Sequence, residues 1–66
     1  MFIKLTSHWV DVFSPIYIKP ESIEAMDRTV YRETSYTNVR VNGYGFDVKE
    51  TPEEILKMIA DSQQIP

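Results

Sequence analysis

Few side chains in this sequence stand at spacings that could do chemistry. His8 and Asp11 lie three apart, the separation at which a helix would bring an imidazole and a carboxylate together. The segment does not read as helical, and no nucleophile stands at a recognisable spacing, so His8 reads as a surface histidine. Glu21 and Glu24, and Glu50, Glu53 and Glu54, are the paired carboxylates. Such pairs can serve acid–base chemistry or hold a hard cation. Glycoside cleavage also needs a cleft between its two carboxylates, for which a chain this short has little room. They read instead as a charged helix start and solvated turns. Gly43-x-Gly45 is no phosphate loop, which needs further glycines and a following helix N-terminus. There is one histidine and no cysteine, which excludes disulfides, thiolate zinc and His-rich metal sites. The expectation is no catalysis, no metal, no cofactor and no small-molecule substrate.

The aromatics and arginines are the richer set. Phe2, Phe13 and Phe46 are assigned to the core. Trp9, Tyr17, Tyr31, Tyr36 and Tyr44 are more than such a core holds. Cross-strand pairing absorbs some of them. Tyrosine and tryptophan also favour protein interfaces, being apolar at one end and hydrogen-bonding at the other. Arg28, Arg32 and Arg40 lie near Tyr31 and Tyr36, the makings of a stacking platform for single-stranded nucleic acid. Against that stand a net charge of −3 and a pI near 4.9. An acidic domain gains nothing from phosphate electrostatics.

The elements that must position these residues follow from pattern. Sixty-six residues make one domain, 1–66. A chain this size buries only about 60% of its unfolded surface, and its net stability is roughly 3–10 kcal/mol. With 42% hydrophobic and 26% charged residues, it is globular in composition. No stretch reaches the ~20 apolar residues of a membrane span, and the start reads as a strand rather than an export signal. Cytoplasm is therefore the expected location, the host's if the protein is phage-encoded.

Ile3 and Leu5 alternate with Lys4 and Thr6, a strand. Residues 7–14 fit neither the helical nor the strand period. Residues 15–19 make a second strand and residues 20–22 a turn. Residues 23–32 are assigned to strand over helix, with a turn at residues 33–35. Asn42-Gly43 between alternating segments signals a hairpin. It would pair Val41 with Tyr44, Val39 with Phe46 and Thr37 with Val48, all on one face. A slip of one residue would expose every apolar group. Thr51-Pro52-Glu53-Glu54 is a capping box with proline at the first helical position. It predicts a helix over about 51–61 with Ile55, Leu56 and Ile59 on the sheet, and a frayed tail at 63–66. The fold class is α+β: an antiparallel β-meander of about four strands with one amphipathic C-terminal helix packed on it.

The order of these elements carries a resemblance. Residues 2–6, 16–23 and 46–55 read Phe-Ile-Lys-Leu-Thr, Ile-Tyr-Ile-Lys-Pro-Glu-Ser-Ile and Phe-Asp-Val-Lys-Glu-Thr-Pro-Glu-Glu-Ile. They resemble the short FlbD-like proteins of bacterial flagella and swarming motility, and small phage or prophage proteins of the same layout. The likeness covers about two-thirds of the chain. It departs in having no glycine in residues 7–14 and an added polar stretch at 27–36. The resemblance implies a small bacterial or phage protein that works by binding, and carries over no catalytic residue.

Two functions are therefore expected. The first is a non-enzymatic protein-interaction module, a phage-encoded or motility-associated adaptor, binding a protein partner or itself as a homodimer. Trp9 and Val10 are its first contact candidates, Tyr31 and Tyr36 its second. The second is a small nucleic-acid-associated regulator using Arg28, Arg32, Arg40 and their neighbouring tyrosines.

Overall fold

In the computed structural model, which describes residues 1–9 and 12–63, five strands precede one helix. They are β1 (Ile3–Trp9), β2 (Val12–Ile18), β3 (Ile23–Tyr31), β4 (Thr34–Val41), β5 (Tyr44–Val48) and α1 (Pro52–Ser62). A single 3-10 turn, Pro20–Ser22, links β2 to β3. All neighbours pair antiparallel, in the order β2-β1-β5-β4-β3. The architecture is α+β, as expected, with five strands rather than about four.

Residues 7–9 and 12–14 lengthen the first two strands beyond their expected bounds. Ser7 pairs with Ser14, His8 with Phe13 and Trp9 with Val12, continuing the β1–β2 register. The alternation test fails there because both faces carry apolar groups, so no single inward face exists. β2 accordingly starts at Val12, three residues before the expected start at Pro15. Residues 23–31 form a strand, as assigned.

The β3–β4 turn lies one residue earlier than expected, at Arg32 and Glu33, with φ of 50° and 65°. Asn42 and Gly43, at 51° and 83°, have the same left-handed backbone. Both turns have the shape whose twist matches a hairpin. Only Asn42-Gly43 has the residue types that announce it. Its register is as expected: Val41 with Tyr44, Val39 with Phe46, Thr37 with Val48.

Thr51 caps α1 through its side chain, which accepts the Glu54 N–H, while the Glu54 carboxylate accepts the Thr51 N–H. Hydrogen bonding to the carboxylate, first from the Thr51 backbone N–H and then from the Thr51 side chain, holds the Glu54 carboxyl below its ordinary value. Helix α1 lies against β1 and β3. Ile55 is fully buried, with Met58 and Ile59 half-buried beside it. The core joins Ile55 to Ile3, Leu5, Ile18, Val39 and Val48.

Four core assignments need correction. Leu56 is 55% exposed, because the buried stripe runs through positions 55, 58 and 59 and Leu56 lies a hundred degrees round from Ile55. Phe2, Phe13 and Phe46 are all exposed. Phe46 does lie on the face of Val39 and Val48, but α1 covers only part of that face. Phe13 is on the opposite face, and Phe2 precedes β1. Gln63 is exposed; the rest of the expected frayed tail lies outside the described residues.

Candidate interaction surface

The two hairpins are joined at a narrow seam. β1 and β5 share one register pair, Ser7 with Val48. Beside it, Lys49 N–H donates to the Thr6 carbonyl at 3.0 Å. Glu50 then stands in for the next ladder bonds. Its carboxylate accepts the Thr6 N–H at 2.8 Å and the Thr6 hydroxyl at 3.0 Å, and its carbonyl accepts the Thr37 hydroxyl at 2.6 Å. Thr37 is buried and satisfied by this bond. Glu50 therefore ties β1, β4 and the start of α1 together. Its grouping with Glu53 and Glu54 concealed that role, since nothing in the spacing distinguishes a carboxylate that replaces backbone pairing.

The other carboxylates are likewise in structural bonds or solvent. Glu24 sits where the β3–β4 register shifts and accepts the Gly43 N–H at 2.8 Å. Glu21 and Glu53 are exposed. Among the described residues, no group of three His, Asp or Glu side chains is placed to hold a metal.

His8 is half-buried rather than free on the surface. Its ring stacks on Tyr36, centroids 4.6 Å apart and planes 6° from parallel, and meets Phe13 at 4.9 Å. Lys49 caps Phe13 from 5.1 Å. Tyr36 is consequently only 7% exposed, and presents little surface to a partner. Asp11, the other half of the sequence pair, lies outside the described residues, as does Val10.

Trp9 is different: it is 78% exposed at the end of β1, and its cross-strand partner Val12 is exposed beside it. Phe13 is exposed on the other face. The end of the β1–β2 hairpin is thus apolar on both sides. Next to it, where β1 and β5 part, a cleft of about 290 Å³ is lined by His8, Trp9, Asn38, Phe46 and Asp47. Asn38 donates to Asp47 at 3.1 Å and lies over Gly45, where a Cβ would come within 3.0 Å of its Nδ2. A second, more apolar groove of about 350 Å³ runs between Phe2, Ile16, Tyr17, Ile18, Val41 and Phe46.

The arginines do not form one strip. Arg28 is opposite Thr37, and Arg40 is three positions further along β4, so the period of two sends them to opposite faces. Arg32 is in the β3–β4 turn, 5.3 Å from the Tyr31 ring. No protein-family model matches this chain, and no curated protein or solved structure matches it either.

Proposed function

We propose that this protein is a non-enzymatic interaction module that binds another protein through its exposed apolar surface. The adaptor role implied by the FlbD-like or phage resemblance, and a cytoplasmic setting, belong to this reading. One observation carries it. Trp9 and its cross-strand partner Val12 stand exposed side by side at the end of one hairpin, with Phe13 exposed on its other face, while the fully buried core is confined to a few aliphatic side chains. Apolar residues scattered singly over a surface need no explanation, whereas a contiguous set marks a contact. Tryptophan is also among the residues that most often anchor interfaces.

The nucleic-acid reading has weaker support, because Arg28 and Arg40 point to opposite faces and the net charge is −3. The test compares wild-type protein with a Trp9→Ser/Val12→Ser double variant. Both are used to capture cross-linked partners from cells and are titrated with single-stranded oligonucleotide at several salt concentrations. The expected result is a discrete protein captured by the wild type and lost by the variant, whose melt is unchanged. Oligonucleotide binding that weakens steeply with salt, together with capture indifferent to Trp9, would overturn the reading in favour of the regulator.

A further inference from the structure

The sheet has two outer strands, β2 and β3, and their free edges differ. On β2, Pro15 decides the matter. Thr6, its partner, directs its N–H to Glu50 and its carbonyl to Lys49, both away from β2. In an antiparallel pair such a residue and its partner both face outward. Pro15 therefore sits where β2 would offer an N–H to a newcomer, and it has none. That edge is blocked at its middle.

The β3 edge has no such block. Tyr31 and Thr34 flank a two-residue turn and hydrogen-bond to each other. Alternation then turns Thr29 and Asp27 toward β4, and Val30, Arg28 and Met26 outward. Their N–H and C=O groups form an uninterrupted row. An open edge of this kind is a template for another strand.

Charge says which strand. On one face the row presents Met26, Arg28 and Val30; Val30 is 68% exposed, and Arg28 is exposed too, with one of its five N–H donors directed to the Thr37 hydroxyl at 3.4 Å. On the other it presents Asp27, Thr29 and Tyr31. Like charges directly opposite one another destabilise a strand pair, and opposite charges stabilise it. A second copy fits poorly. An antiparallel two-fold centred on residue 27 sets Asp27 against its own copy, and one centred on residue 28 does the same to Arg28. Centring on Thr29 avoids both but overlaps only from Asp27 to Tyr31, and centring on Met26 sets Arg28 against Glu24 at the register shift, where Glu24 is already held by the Gly43 N–H.

We propose that the β3 edge from Met26 to Val30 takes an extended segment of a different protein, with alternate side chains running apolar, acidic, apolar opposite Met26, Arg28 and Val30. Main-chain bonds hold the segment, and the acidic residue on Arg28 sets its register, the division of labour seen when a peptide adds to a sheet edge. The proposal deepens the interaction reading and rests on it.

The test uses the whole chain and a synthetic peptide with the core Val-Thr-Glu-Lys-Val, followed by amide chemical shifts and a binding titration. Shifts are expected at Met26, Arg28 and Val30. Replacing the central glutamate of the peptide by lysine is expected to weaken binding about five-fold. Arg28→Glu is expected to reverse that preference. Val30→Pro removes an outward N–H without touching the β3–β4 ladder and is expected to abolish binding. Should Val30→Pro fail to fold, the reversed preference of Arg28→Glu decides alone. Binding indifferent to both variants, or no shift along β3, overturns the proposal. So does a dimer of the free chain that Val30→Pro dissociates, since the occupant would then be a second copy. If the peptide fails while Trp9-dependent capture persists, only the edge assignment falls; if capture fails too, the interaction reading falls with it.

Discussion

The β4–β5 and β1–β2 hairpins are both antiparallel pairs, yet their surroundings differ. β4–β5 is flanked on both sides, by β3 along nearly its whole length and by β1 at Val48. β1–β2 is buried only at its base, through Ile3, Leu5 and Ile18, and its far end carries exposed Trp9, Val12 and Phe13. Between them stand one register pair and the Glu50 bonds. A strand embedded among neighbours has its side-chain pattern dictated by burial. A strand that runs past its neighbours is free to carry apolar groups on both faces, and there the surface becomes available for binding.

The largest expected effect comes from removing what the two hairpins share. Ile55 packs beneath both, and Ile55→Ala should cost about 2–5 kcal/mol in denaturant unfolding. Leu56→Ala, exposed one position on, should stay within about 1 kcal/mol. Equal losses at the two positions would contradict the placement of α1.

The seam comes next. Glu50→Gln keeps the shape but replaces one accepting oxygen by a donor facing either the Thr6 N–H or its hydroxyl. It should destabilise by about 1–3 kcal/mol. In a double-mutant cycle with Thr6→Val the two losses should not add. Additive losses would mean that Glu50 does not join the hairpins.

The turns give a smaller, signed effect. Gly43→Ala places a Cβ at φ 83° and should cost about 1–2 kcal/mol. Glu33→Gly relieves the same strain at φ 65° and should stabilise by up to about 1 kcal/mol. Thermal melts of the pair should move in opposite directions.

The smallest effect is the pH dependence of the α1 cap. The folded Glu54 carboxyl is held below its ordinary value, near 4.5, first by the Thr51 backbone N–H. A depressed folded value contributes stability that is present above the unfolded value and lost as pH falls through the folded one. Wild type should therefore lose more stability than Glu54→Gln between pH 4.5 and the lower folded value. Parallel pH profiles would contradict the cap.

These contrasts also explain what was legible in the sequence. The β4–β5 register could be read because Asn42-Gly43 names its turn and Thr37, Val39, Phe46 and Val48 share a face. The α1 start could be read because three capping rules coincide at residues 51–54. The Arg32-Glu33 turn carries no turn residue, since the strands on either side impose its left-handed backbone. Residues 7–9 and 12–14 mix serines, a histidine and aromatics because they lie beyond the core. Among the candidate contacts, Trp9 and Tyr31 are exposed, whereas Tyr36 is covered by His8, a tertiary contact with no local signature. The strip of Arg28, Arg32 and Arg40 looked continuous along the chain because strand alternation separates residues that sequence distance does not.

Native-state amide hydrogen exchange tests the difference between the hairpins most directly, since it reads the opening free energy of each strand separately. Val39 and Phe46 should exchange only through global unfolding. Ser7 and Ser14 should exchange through a smaller opening that Glu50→Gln makes smaller still, while Val39 and Phe46 keep the global free energy of each protein. If all four amides share one opening free energy in the wild type and move together in Glu50→Gln, the hairpins form a single cooperative unit and the account is wrong.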